Sequence, residues 1–132
     1  MPDTNPPSTA ILWLARLALA SPFVLSGFTK AADFAGATGE VRGLTGLEPA
    51  PAFAAAVIAV QLGGSALLLA KGRAVWVGAA ILSAFTLAAT LLAHDFWAKP
   101  EGAALRDATT FLEHMGLVAG LGLAAILAGR DP

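Results

Sequence analysis

The sequence predicts an all-α membrane protein, an antiparallel bundle of four transmembrane helices. Four apolar stretches each have the length of about 17–25 residues that a helix needs to cross a bilayer. Of the 132 residues, 57% are hydrophobic and only 13% are charged, roughly half the charged share of an ordinary soluble domain. A water-soluble chain of this size has too little interior to hide so many apolar side chains. Arg16 lies inside the first apolar stretch. A guanidinium in hydrocarbon costs a few kcal/mol on insertion scales and roughly 10 or more on an isolated helix. It therefore demands a polar protein interior, and so a bundle rather than a lone anchor.

The spans read as residues 11–28, 51–70, 74–93 and 109–128. Pro6 and Pro7 followed by Ser8 and Thr9 form a start signal for the first. Ala18-Leu19-Ala20 before Ser21 resembles a signal-peptidase site. No Lys or Arg precedes the run, however, and Arg16 interrupts it, so the stretch reads as a retained span. In the connection 29–50, Phe34, Ala37, Val41 and Leu44 recur at helical spacing with Asp33, Glu40 and Arg42 between them. That pattern fits a short interfacial helix, and a plain surface loop is an equal alternative. Gly43, Gly46 and Pro49 then break it. Pro51 opens the second span, and Lys71-Gly72-Arg73 forms a tight turn that makes spans two and three antiparallel neighbours. The connection 94–108 is broken by Pro100 and Gly102. Nothing marks a second domain, so residues 1–132 read as one four-helix unit.

Composition excludes several functions. A net charge of −1 with no basic run of five argues against nucleic-acid partners. Zero cysteines removes disulfides, thiolate metal sites and cysteine redox relays. Two histidines without further ligands leave no metal site. The N-terminus, Lys71, Arg73 and Arg130 share one side, and Lys30, Arg42, Lys99 and Arg106 the other. The positive charge is nearly balanced, and the reading adopted puts both termini in the cytoplasm.

Two polar groups are expected within the membrane. Arg16 lies 12 residues and Gln61 10 residues from the long-loop ends of their spans, both about 15–18 Å deep. They are expected to pair as a structural bolt, with the Ala18 carbonyl, freed by Pro22, as a second acceptor for Arg16. Arg16, Ala20, Phe23, Gly27 and Lys30 share one helical face, as do Gln61, Gly64, Ser65 and Leu68. A second cluster gathers at the long-loop end. His94 and Asp95 close span three, Glu113 and His114 open span four, and Ser26 and Lys30 end span one. Glu113, followed at helical spacing by Gly116, Gly120 and Ala124, is expected to face inward. This candidate binding rim combines proton-passing imidazoles with carboxylates that can hold their tautomers. Haem held by His94 and His114 is disfavoured, because nothing marks a cavity for the macrocycle.

In order and spacing these residues resemble the DoxX family of small four-helix membrane proteins. The resemblance rests on Arg16, Ser26-Gly27 with Lys30, Pro49 or Pro51, Gln61-x-Gly63-Gly64, Gly72, His94-Asp95-Phe96-Trp97 and Phe111-Leu112-Glu113. The family typically carries an acid where Gln61 stands, which makes Glu113 the expected buried carboxylate here. The family is similar to the membrane subunit of thiosulfate:quinone oxidoreductase. The resemblance therefore implies a multi-pass protein of a bacterial-type inner membrane, redox-associated and interacting with quinone or quinol. It has no covalent cofactor and takes its electrons from a partner protein. A membrane scaffold or accessory subunit that docks a soluble partner is the alternative. Transport of a small solute by a homo-oligomer ranks third.

Overall fold

The computed structural model describes residues 8–129. Pro6, Pro7 and Arg130 lie outside the described residues. Helix α1 (Thr9–Ala32) starts where the Ser8 side chain accepts from the Ile11 N–H. It ends at Asp33, whose N–H closes on the Thr29 carbonyl while its side chain accepts from the Gly36 N–H and so opens α2 (Phe34–Thr45). One residue thus caps two helices. Helix α2 stops at Gly46, which adopts the left-handed φ of 66° that glycine tolerates at a helix end.

Helix α3 (Ala50–Leu68) has proline in its first turn, where the missing N–H costs nothing. Gly72, with φ 60°, turns the chain into α4 (Arg73–Ala93). A short 3₁₀ turn at Phe96–Ala98 leads to α5 (Glu101–Ala128). The connection 29–50 is therefore mostly helical, the interfacial-helix reading rather than the loop. Ala37 and Val41 pack on Ala50 and Ala54 of α3, while Phe34 and Leu44 stay exposed.

Four helices, α1, α3, α4 and α5, are long and apolar enough to cross a membrane. The core holds Ala20, Phe23, Leu68, Leu82 and Leu121, contributed by all four. The buried faces of α1 (Arg16, Ala20, Phe23, Gly27) and α3 (Gln61, Gly64, Ser65, Leu68) are those the helical period marks. Large apolar side chains also point outward, Leu25 and Leu112 being 68% and 69% exposed. In water such surfaces would be a liability; in lipid they are the solvent-matched face. The protein is an all-α, multi-pass membrane bundle.

Two boundaries differ from the hydropathy reading by four residues or more, and both matter for the site. Helix α1 runs to Ala32 rather than residue 28, and α5 begins at Glu101 rather than residue 109. Hydropathy marks where side chains leave hydrocarbon, whereas a helix continues until its backbone hydrogen bonds are capped.

Candidate functional site

The expected Arg16–Gln61 bolt does not form. With α1 four residues longer, Arg16 lies about 24 Å from its long-loop end, while Gln61 lies about 16 Å from the start of α3. Arg16, 5% exposed, instead donates from Nη1 to the carbonyl of Ala70 at 3.5 Å, beside the α3–α4 turn. There it meets the negative end of the α3 dipole. The Ala18 carbonyl freed by Pro22 is taken by the Ser21 hydroxyl at 2.7 Å. Local geometry wins, because Ser21 already sits one turn from that carbonyl.

Gln61 is turned toward the other end of the molecule. Its Nε2 donates to Ser26 Oγ at 3.0 Å, and the same hydroxyl oxygen accepts from Lys30 Nζ at 3.2 Å. Lys30 pairs with Glu40 of α2 at 3.1 Å. The Oε1 atom of Gln61 has no hydrogen-bond partner, although the residue is only 4% exposed. A buried amide oxygen left unpaired is costly and points to something absent from the protein itself.

These groups line part of an open cavity of about 450 Å³ between α1, α2, α3, α4 and α5. Phe23, Phe85 and Leu117 line its apolar part, and Val41 and Leu44 of α2 close one side. His94 and His114 also line it. Their rings meet edge to face with centroids 5.3 Å apart. His114 Nδ1 lies 2.8 Å from Thr90 Oγ1, and Thr90 in turn donates to the Thr86 carbonyl at 2.5 Å. His94 Nδ1 lies 3.4 Å from Asp107 Oδ1, whose other oxygen bonds Lys99.

Lys99 also donates to the Ala93 carbonyl at 2.8 Å and pairs with Asp95 at 3.3 Å. Its hydrogen bond to Asp107 is the first cause that holds the ammonium above the ordinary lysine range; burial opposes it, and a lesser contribution from Asp95 adds to the rise. Four of the six predicted rim residues, Ser26, Lys30, His94 and His114, thus line one cavity. Asp95 and Glu113 do not. Asp95 belongs to the Lys99 ion pair outside the cavity.

Glu113 is exposed on α5, which corrects its expected inward orientation. The buried face of α5 instead carries Asp107, Leu121 and Ala128, with half-buried His114 between them. These four recur every seven residues, and Glu113 lies one position off that stripe, about 100° round the helix. An imidazole that bonds Thr90 fits the interior better than an unpaired carboxylate would. Gly116, predicted on the same face as Glu113, is likewise exposed, whereas Gly120 packs against Leu19.

Asp107, Thr90 and Glu40 were not singled out from the sequence, and Gln61 was read only as structural. The seven-residue spacing of Asp107 to His114 is the signal that marks the first of these. Thr90 and Glu40 carry none, since each matters only through a residue on another helix.

The sequence profile of the DoxX family matches residues 11–95, from the first span to the end of α4. Asp107 and His114 lie beyond the matched segment. Neither a curated protein nor a solved structure matches the chain. Since the profile covers more than half of the sequence, with the bundle architecture the family resemblance implies, the chain belongs to the DoxX family.

Proposed function

We propose that the protein is a redox-associated membrane subunit that holds a quinone or quinol in the cavity between α1, α3, α4 and α5. The observation that carries this reading is the cavity itself: about 450 Å³, within the range of small-molecule sites, apolar along Phe23, Phe85 and Leu117, and polar at Ser26, Lys30, Gln61, His94 and His114. A ring with two oxygens and an isoprenoid tail needs that pairing of polar ends with an apolar slot. The orphaned Oε1 of Gln61 is an acceptor that an O–H of the reduced ring would complete.

Lys30 and Ser26 would hold one oxygen, and His94 and His114 the other. A bound quinone supplies two-electron, two-proton redox chemistry. The chain's own contribution is orientation and proton handling. Asp107 aligns the His94 ring, Thr90 aligns His114, and an imidazole can hand a proton on through its two ring nitrogens. Without cysteine no thiol relay exists in the chain, so the reading includes a partner protein that exchanges electrons. It also includes a bacterial-type inner membrane, as the family resemblance implies, with both termini in the cytoplasm. The scaffold alternative is favoured less. It expected an interior sealed by an Arg16–Gln61 contact, whereas Gln61 faces a cavity.

The test is binding of decylubiquinone, titrated in both redox states, to the protein in lipid nanodiscs. Saturable binding that weakens about tenfold or more in His94→Ala and in Lys30→Met is expected. Absence of binding, or binding unchanged in both variants, overturns the reading.

A further inference from the structure

The hydrogen-bond roles on the cavity wall can be worked out from the second partners of each group. Thr90 Oγ1 spends its single proton on the Thr86 carbonyl. In the 2.8 Å contact with His114, Nδ1–H must therefore be the donor. A neutral His114 then carries its proton on Nδ1, which leaves Nε2 as a bare acceptor. At His94 the partner is Asp107, which its contact with Lys99 keeps as an acceptor. His94 Nδ1–H is again the donor, and Nε2 is again a bare acceptor. Neither ring makes another hydrogen bond among the described residues. Gln61 adds the third acceptor, because its Nε2 is committed to Ser26 and Oε1 has no partner. Against these stand two donors: Lys30, the one cation among the described lining residues, already engaged with Ser26 and Glu40, and the Ser26 O–H, whose oxygen accepts from both Gln61 and Lys30.

We propose that the cavity selects the reduced, hydroxyl-bearing hydroquinone over the oxidised quinone, with Gln61 Oε1, His94 Nε2 and His114 Nε2 accepting from its O–H groups. The inference rests on the reading of this cavity as a quinone or quinol site and adds which redox form it prefers. A hydroquinone brings two donors to a wall of acceptors. A quinone brings only acceptors of its own and leaves the wall unpaired. Sites built to bond a hydroxyl discriminate strongly against the analogue that lacks it, and one unpaired buried acceptor corresponds to about tenfold in affinity.

The test uses the full chain in nanodiscs and calorimetric titration with three probes. These are decylubiquinol kept reduced, decylubiquinone, and the dimethyl ether of decylubiquinol, which keeps the reduced ring and the tail but carries O–CH3 in place of each O–H. The wild type is expected to bind the quinol about tenfold or more tighter than both others. Gln61→Met is expected to shrink that ratio. Asp107→Asn is expected to shift it toward the quinone, because the new amide donates to His94 Nδ1 and moves the ring proton to Nε2. Nitrogen NMR of the labelled imidazoles reads that tautomer change directly, which loss of structure would not produce. Glu113→Ala, outside the cavity, should leave the ratio unchanged. Equal affinity for the three probes in the wild type, or preference for the quinone, overturns the inference while leaving the site intact. Binding of none of them removes the site reading as well.

Discussion

Nδ1 of His94 lies 3.4 Å from Oδ1 of Asp107 across a chain reversal of thirteen residues. The 3₁₀ turn at Phe96–Ala98 folds α5 back so that its second turn stands level with the end of α4. Lys99 completes the link by bonding Asp107 on one helix and the Ala93 carbonyl on the other. The same hairpin that joins two spans therefore sets the orientation of a cavity-lining imidazole.

That hairpin is expected to weaken at alkaline pH. Lys99 is held above the ordinary lysine value, first by its hydrogen bond to Asp107. A raised folded-state value contributes stability that is fully present below the unfolded value of about 10.4 and is lost as pH rises through the folded one. Melting followed by tryptophan fluorescence, with Trp97 inside the hairpin, should show a flat midpoint through neutral pH and a fall only above about pH 10. Lys99→Met should lower the midpoint at pH 7 and abolish the alkaline slope. A slope that survives the substitution would refute the assignment.

The junction of α2 and α3 has the opposite pH sense. Glu48 accepts from Arg42 Nε and from the Ala50 N–H at the start of α3, and the Arg42 hydrogen bond is the first cause holding its carboxyl below the ordinary range. Stability from this group is present above the unfolded value of about 4.3 and is lost as pH falls through the folded one. Hydrogen exchange of residues 42–50 should accelerate, relative to its intrinsic rate, on acidification below about pH 4. Glu48→Gln should exchange faster at neutral pH and lose that dependence.

Close packing of α3 on α4 depends on Gly78. A Cβ there would meet the Leu68 amide nitrogen at 2.5 Å and the Gly64 carbonyl oxygen at 2.7 Å, backbone atoms that no rotamer change can move. Gly78→Ala is expected to destabilise by about 1–3 kcal/mol. Gly63, with nothing within 4 Å, should accept Ala neutrally or gain up to about 1 kcal/mol. Unfolding in mixed detergent compares the two, and equal midpoints would contradict the crossing.

Arg16→Met should loosen the α3–α4 turn, its bond to Ala70 alone being worth about 1 kcal/mol. Hydrogen exchange at residues 69–73 should rise, while quinol affinity stays constant, since Arg16 does not line the cavity. A loss of affinity would restore the older expectation of a direct link to Gln61.

Much of the architecture was legible before any coordinates. Bilayer-length apolar runs, Pro51 and Gly72 located the spans, and the buried faces of α1 and α3 followed from helical period alone. Lys30, Ser26, His94 and His114 were also recognisable, because unlike polar groups at matching helix ends stand out in an apolar chain. Helix length beyond the hydrocarbon was not legible. Thr29-Lys30-Ala31-Ala32 looks like loop to hydropathy yet continues α1, and that shift separated Arg16 from Gln61.

What the sequence by itself determined is the all-α membrane bundle, its element order and two of its inward faces, since lipid makes hydropathy and periodicity nearly decisive. Only the tertiary structure decided which of Glu113 and His114 turns inward, that Gln61 keeps an unpaired oxygen, and that Asp107 and Thr90 fix the two imidazoles. Adjacent polar residues differ by one step of about 100° on a helix. A single chain's period cannot choose between them; contact with the neighbouring helix does.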